Sequence, residues 1–311
     1  MYDTIIIGGG PAGLTAAIYA ARREMKTLLI TRHVGGQMIW ASTIENYPAF
    51  KEITALELIA KMEEQVKSLG VEIKLGLVEK LEKNADKNFS ITLGEETFQA
   101  KTVIAALGCD RRKLGVPGEN DFAGLGVAYC ANCDGPLFRN KIVAVVGGGN
   151  SALDSAEMLS KIASKVYLIH QFEVFQAFEA LEKKVRATPN IEIILENKVE
   201  EILGSNKVEK IKIKNQKTSE SSEINLNGIF VEIGFEVKTD LVAGLIKLNG
   251  RKEIIIDEHG ETSMSGLFAA GDATTNPYKQ ITVAAGAGTV AALGAYRYIQ
   301  TKEGNLAKLI K

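Results

Sequence analysis

The chain has 311 residues, 46% hydrophobic and 24% charged, which suits a soluble globular protein of about two domains. The 37 Lys and Arg against 38 Asp and Glu leave a formal net charge of -1, so no basic excess suggests nucleic acid or an anionic membrane as a partner. No apolar run approaches the roughly 18 residues of a membrane span, and Ile5-Ile6-Ile7 is too short for a signal sequence, so a cytoplasmic location is the default.

In chain order, a β-branched strand over 4–7 leads into Gly8-Gly9-Gly10-Pro11-Ala12-Gly13, then an apolar-periodic helix over 14–22 and a strand over 27–30. The series recurs as a strand over 142–146, Gly147-Gly148-Gly149-Asn150-Ser151-Ala152, a helix over 152–159 and a strand over 166–169. Both read as βαβ units. In a G-x-G-x-x-G/A turn the first glycine allows the tight bend and the second lets a phosphate approach the backbone. The third position must be small so that helix and strand pack closely. The pyrophosphate then meets free N–H groups and the positive end of the helix dipole. Two such motifs, each between a strand and a helix, predict two dinucleotide-type α/β folds.

Each unit carries a strand-rich insertion. Residues 71–75 and 89–93 alternate and look antiparallel, with Gly94-Glu95 as a turn, and 191–226 repeats the scheme. The polar stretch 214–223 reads as an exposed hairpin tip. Residues 114–118 look like a linker into a second domain and 234–240 like the return. The expected division is 1–112, 113–239 and 240–311.

The three cysteines are Cys109, Cys130 and Cys133. An odd, low count argues against a secreted disulfide scaffold. There is one C-x-x-C, and His33, His170 and His259 are scattered, so zinc is poorly supported and no metal site is expected. Redox chemistry is the better reading of Cys130-Ala131-Asn132-Cys133. Cys109 has no partner in sequence and reads as a small buried filler.

The order GGGPAG, GGQM, ENYP, CANCDG, GGGNSA and AAGDATTNPYKQ resembles the low-molecular-weight FAD-dependent thioredoxin reductases over essentially the whole chain. The C-x-x-C-D-G just before the second glycine motif is the specific element. The resemblance implies two Rossmann-like domains of three-layer ββα sandwich type. The second, a nicotinamide-type domain carrying the C-x-x-C, is inserted into the first, an FAD domain. It also implies a homodimer. Gly8, Gly10, Ala12 and Gly13 are expected to hold the FAD pyrophosphate, and Gly35, Gly36 and Gln37 to line the adenosine and flavin side. Asn46 is expected near the isoalloxazine, Gly271 and Asp272 at the ribityl or phosphate end, and Gln280 and Ile281 at the flavin edge. The small-residue helix start from Ala284 independently permits close approach of a cofactor, or simply tight packing. Strand two ends without the acid that usually binds ribose hydroxyls, as the family tends to.

By the same resemblance, Cys130 attacks the substrate disulfide, Cys133 faces the flavin, and Asp134 is the general acid–base of the pair. An ordinary helix N-cap is the alternative for Asp134. Rotation of one domain on the other, hinged near 114–118 and 234–240, would let the dithiol serve both flavin and a thioredoxin.

The chain departs from the family where NADPH binds. The family pattern His-Arg-Arg-x-x-x-Arg clamps the 2′-phosphate with planar, permanently charged donors. Here the stretch is His170-Gln171-Phe172-Glu173-Val174-Phe175-Gln176, with every arginine gone. NADPH is therefore not expected as donor. NADH stays open, although His170 stands where a ribose-binding carboxylate belongs. The return 233–239 also lacks the usual His-x-Pro-Asn-Thr. This loss resembles the flavin thioredoxin reductases that take electrons from reduced ferredoxin, since a flavin can accept electrons one at a time. Arg22-Arg23, Arg111-Arg112-Lys113 and Lys183-Lys184 are candidate docking clusters for an acidic ferredoxin. The alternatives are an NADH-dependent thioredoxin or peroxiredoxin reductase and, from another class, a non-catalytic flavin redox sensor, which the intact C-x-x-C-D disfavours.

Overall fold

Strand β1 (Tyr2–Gly9) shows why the opening sequence is so apolar: Ile6 packs into one hydrophobic cluster, and Ile5 and Ile7 into another on the opposite face. A parallel strand covered on both sides needs an unbroken apolar run. The computed structural model describes residues 1–40, 43, 44 and 46–305, with the backbone alone at Trp40, Thr43, Asn132 and Cys133. The chain forms two compact units, the first of residues 1–110 with 237–311 and the second of residues 111–236.

In the first unit β1 is followed by α1 (Pro11–Arg22) and by β2 (Thr27–Val34), which lies parallel to β1. The short pair β3 (Thr43–Ile44) and β4 (Ile53–Thr54) precedes α2 (Ala55–Ser68), whose N-cap Thr54 accepts a hydrogen bond from Glu57 N at 3.2 Å. Next come β5 (Glu72–Leu75), β6 (Lys80–Lys83), β7 (Phe89–Leu93), β8 (Glu96–Ala105) and β9 (Cys109–Arg111). Strands β6, β7 and the start of β8 are antiparallel, with Gly94-Glu95 as the turn between β7 and β8. The end of β8 joins the parallel sheet beside β1.

The second unit begins with β10 (Val127–Ala128) and α3 (Ala131–Asp134), then β11 (Ile142–Val146), α4 (Asn150–Ser160), β12 (Lys165–Ile169), α5 (Glu179–Arg186) and β13 (Ile191–Ile194). Strands β14 (Asn197–Gly204), β15 (Val208–Asn215) and β16 (Ser221–Asn225) form a separate antiparallel sheet. β17 (Gly228–Val231) returns to the parallel sheet, in the order β10-β17-β11-β12-β13. The chain re-enters the first unit through β18 (Phe235–Val237), α6 (Asp240–Ala243), β19 (Leu267–Ala269) and α7 (Ile281–Lys302).

Each unit is built in three layers. In the first, Leu14 of α1, Leu58 of α2 and Ala291 of α7 pack on Ile6, Leu29 and Ile104, while Leu81, Phe89 and Ile91 cover the other face at Ile5, Leu28 and Val103. In the second, Leu153 and Leu159 of α4 pack on Val143, Val145 and Phe230, and Val208, Ile211 and Ile213 cover Ala144, Ile169 and Ile229. Each fully buried Leu or Ile contributes about 1.5–3 kcal/mol.

Two strand assignments are corrected. Residues 72–75 and 191–194 are not antiparallel. Each is the outer parallel strand of its sheet, paired with β2 and β12 respectively. An outer strand is only partly covered, so its sequence alternates whatever its direction. The 214–223 stretch is also shorter as a tip, since β15 and β16 extend to Asn215 and from Ser221. Among the described residues no helix is long and apolar enough to cross a membrane, and no group of three or more His, Cys, Asp or Glu could hold a metal.

Candidate active site

The first glycine turn is held open by its neighbours. Gly8 has φ +114, and a Cβ there would lie 2.1 Å from the Ala106 carbonyl oxygen, so only glycine fits. Helix α1 starts at Pro11 with Gly10 as N-cap and no side-chain cap, which leaves its first amides to meet an anion. At the end of β2 the Thr31 hydroxyl accepts from Gly9 N at 2.9 Å and donates to His33 O at 2.7 Å. Gly35 N then donates to Gly9 O at 2.8 Å, so β2 delivers Gly35, Gly36 and Gln37 onto the turn. Ala12 lies against Gly271, where a Cβ would come within 2.9 Å of the alanine's.

Further expected residues meet around Cys109. Gln37 Nε2 donates to the Cys109 carbonyl oxygen, and Cys109 Sγ lies 3.8 Å from Asp272 Oδ2. Cys109 is a buried free thiol, as a filler would be, and also contacts Asp272. Burial pushes its thiol up to about 12, with the Asp272 charge adding to the effect. Burial also raises the Asp272 carboxyl, opposed by Lys279 and by the Cys109 bond. Lys279 Nζ donates to Thr274 O at 2.9 Å and Asn276 O at 2.8 Å, which fixes its charge nearby. Asn46 Nδ2 donates to Gln280 Oε1 at 3.2 Å, and Ile281 opens α7. In that helix Gly288 packs against α1, its Cβ position 2.1 Å from Ala12 O, whereas Gly286 faces open space.

The remaining expected residues lie in the second unit. Cys130 is buried and disulfide-bonded, directly before α3. Asp134 closes that turn, its N–H donating to Cys130 O at 3.0 Å. It also occupies the N-cap position of the turn Gly135–Phe138, although its carboxylate makes no capping bond there. Burial raises the Asp134 carboxyl and Arg111 opposes the rise. The side chain of Cys133 lies outside the described residues.

The sequence matches the pyridine nucleotide-disulphide oxidoreductase family over residues 2–288. The chain belongs to this family. It is 42% identical over 302 residues to alkyl hydroperoxide reductase F of Pseudomonas putida, a match covering 96% of this chain and 58% of that protein. The chain therefore spans a little over half the length of that relative. It superposes on Lactococcus lactis thioredoxin reductase with a TM-score of 0.86 at 39% identity, covering 96% of this chain and 99% of that one. A ferredoxin-flavin thioredoxin reductase from Clostridium acetobutylicum matches with a TM-score of 0.53 at 32% identity, covering 96% and 98%. The fold is that of the low-molecular-weight thioredoxin reductases. Membership implies FAD. The first unit fits it, with an uncapped helix start beside a glycine turn and a partly buried carboxylate, Asp272, close by.

The second glycine turn has different surroundings. His170 is buried, its ring filling the space beside Gly148, while its Nε2 pairs with Val174 O at 3.1 Å. Burial lowers its pKa and so favours the neutral ring. Phe172 and Glu173 are exposed, and Glu173 lies 3.5 Å from Lys217. Three sets of contacts escaped the sequence. Arg111, which the sequence groups with a basic surface cluster, is instead ion-paired with buried Glu232 at 2.9 Å. Glu119 accepts from Leu114 N, Gly115 N and the Tyr129 hydroxyl at 2.9, 2.7 and 2.8 Å. Lys279 stands within the AAGDATTNPYKQ motif, where nothing local distinguishes it from a surface lysine.

Proposed function

We propose that this flavoprotein reduces the disulfide of thioredoxin or a similar small protein through FAD and a Cys130/Cys133 dithiol, with an electron donor other than NADPH. The observation that carries the reading is the disulfide-bonded Cys130 in a short turn closed by the half-buried Asp134. Bound FAD supplies two-electron reduction of the enzyme disulfide. Gly8, Gly10, Ala12, Gly13, Gly35, Gly36, Gln37, Asn46, Gly271, Asp272, Gln280 and Ile281 hold it. The Cys130 thiolate attacks the substrate disulfide and forms a mixed disulfide. Cys133 displaces the substrate thiol from it, and the enzyme disulfide closes again. Asp134 gives the proton that the departing thiolate needs and takes one when the dithiol is regenerated.

The donor reading rests on the loop after β12. A 2′-phosphate would meet Gln171, Phe172 and Glu173 rather than a guanidinium clamp. Similarity to a ferredoxin-flavin thioredoxin reductase supports reduced ferredoxin as the donor. The 42% identity to alkyl hydroperoxide reductase F supports a second reading, an NADH-dependent reductase of a peroxiredoxin. Anaerobic reduction of the bound flavin separates these. Reduction by ferredoxin but by neither nucleotide supports the first, and reduction by NADH alone supports the second. Bleaching by micromolar NADPH would overturn both.

A further inference from the structure

The residue before Cys130 is held by its side chain. Tyr129 follows β10, a strand of two residues at the edge of its sheet that pairs with β17 at Val127 and Ala128. So short an edge strand offers few backbone bonds to fix the chain beyond it. The Tyr129 hydroxyl donates to Glu119 Oε1 at 2.8 Å. Glu119 is almost wholly buried; the same oxygen accepts from Leu114 N at 2.9 Å, and Oε2 accepts from Gly115 N at 2.7 Å. The stretch 114–119, most of it expected as a linker, thus closes around this carboxylate and belongs to the second unit. It is braced on β14, where Ile202 N donates to Pro117 O at 3.0 Å. At Gly118, φ +82, a Cβ would lie 2.0 Å from the Ile202 carbonyl oxygen, so the close approach needs glycine. The Tyr129 ring packs on the hydrophobic cluster of Val208 and Ile229, as Leu114, Val116 and Phe122 do. Burial and the Glu119 bond raise the Tyr129 phenol, so it stays protonated as a donor. A path of hydrogen bonds therefore runs from β14 through Glu119 to the backbone that carries Cys130.

We propose that Glu119 and Tyr129 are positioning residues for the redox disulfide: their hydrogen bond fixes the backbone that carries Cys130, so that less freedom is lost when Cys130 closes on Cys133. The inference rests on the reading of Cys130 and Cys133 as one dithiol. In the oxidised enzyme, where Cys130 is disulfide-bonded, the sulfur–sulfur bond holds this segment by itself. In the dithiol that bond is gone, and the segment is held by contacts such as the one to Glu119. A segment already held loses less conformational entropy on closure, which raises the effective concentration of one thiol at the other. Removing the Tyr129 hydroxyl therefore loosens the dithiol more than the disulfide and moves the equilibrium toward the dithiol. A contact that served only to hold the turn 114–119 would lower the stability of both forms alike and leave that equilibrium where it was.

The test equilibrates FAD-loaded enzyme anaerobically with mixtures of reduced and oxidised dithiothreitol. Each dithiothreitol gives two electrons and two protons to the enzyme disulfide and becomes its own cyclic disulfide. Acid quenching, alkylation and peptide mass spectrometry read the reduced fraction of Cys130, and absorbance reads that of the flavin in the same samples. Tyr129→Phe keeps the ring and removes only the hydroxyl. Its dithiol-to-disulfide ratio is expected about three- to tenfold above that of the unaltered enzyme, the scale of one hydrogen bond, with the flavin unmoved. Glu119→Gln, which offers one acceptor oxygen to three donors, should move the ratio the same way. The Tyr129→Phe/Glu119→Gln double variant should move it no further than the larger single shift, because both act through one bond. A ratio unmoved in Tyr129→Phe, a flavin shift of equal size, or single shifts that add overturns the inference and leaves the dithiol in its role. Absence of a Cys130–Cys133 disulfide peptide from the oxidised enzyme overturns both.

Discussion

The Cys109 thiol donates to the Asp272 carboxylate across 3.8 Å, joining residues 163 positions apart within the first unit. Burial pushes the Cys109 thiol up to about 12, so near neutrality it carries far less thiolate than an exposed cysteine. The enzyme reduced under anaerobic conditions is therefore expected to alkylate at Cys130 and Cys133 long before Cys109. Peptide mass spectrometry after a short pulse of iodoacetamide measures this. Labelling of Cys109 at a comparable rate would contradict the buried geometry.

Asp272 makes a prediction of opposite kind. Its carboxyl is raised by burial. A carboxyl whose folded value exceeds its unfolded one stabilises the protein below the unfolded value, and this contribution is lost as pH rises through the folded value. Flavin-stripped protein should therefore lose stability as pH climbs from about 4, the unfolded range. Asp272→Asn should remove that slope and raise the stability of the stripped protein at pH 7 by about 1 kcal/mol. The same variant should retain FAD less well. Urea unfolding at several pH values, with flavin content measured in parallel, checks both halves.

The two βαβ units were legible because their central strands are buried on both faces and their glycine turns are local in sequence. Ile5-Ile6-Ile7 could hardly be anything but a covered parallel strand. Glu72–Leu75 and Ile191–Ile194 were misread for the converse reason: incomplete cover produces alternation, and alternation reports burial, not strand direction. The contacts of Cys109, Arg111 and Glu232 were illegible because each has a partner distant in sequence. Arg111 and Glu232 are 121 residues apart, and nothing local distinguishes Arg111 from the neighbouring Arg112 and Lys113. The GGGPAG and CANCDG motifs are local in sequence; the charges around them are not.

Helix α7 separates packing from access. Gly288→Ala would place a methyl group 2.1 Å from the Ala12 carbonyl oxygen, which is backbone and cannot give way without moving α1. A loss of about 1–3 kcal/mol or more is expected. Gly286→Ala meets nothing within 4 Å and should stabilise the stripped protein by roughly 0.5–1 kcal/mol through helix propensity alone. Thermal melts of the two stripped variants should move in opposite directions. Equal destabilisation would mean that Gly286 is not in open space.

The loop after β12 can be tested by restoration. Gln171, Phe172 and Gln176 are exposed, so arginine can be introduced at all three without burying charge. If the second unit otherwise accepts a nucleotide, Gln171→Arg/Phe172→Arg/Gln176→Arg should tighten NADPH binding roughly a hundredfold, since charged hydrogen bonds contribute about 1.5–3 kcal/mol each. NADH lacks the 2′-phosphate and should gain nothing. Isothermal titration with both nucleotides reads the difference. Equal gains would show that the arginines act as a diffuse field and not as a phosphate clamp.

The dithiol and Asp134 should fail in different ways when altered. Cys130→Ser and Cys133→Ser each remove a sulfur that the exchange needs, so turnover should vanish while FAD stays bound. Asp134→Asn keeps both sulfurs and the shape of the turn but cannot hold a proton for the departing thiolate. Its turnover is expected to fall by about 10²–10⁴, with the disulfide still formed on oxidation. A small disulfide substrate whose leaving thiol is already acidic needs little protonation. With it, Asp134→Asn should recover much of the loss, and the cysteine variants none. That selective recovery, followed by stopped-flow with leaving groups of graded acidity, separates a proton-transfer role from a structural one. A deficit independent of the leaving group would assign Asp134 to the shape of the turn.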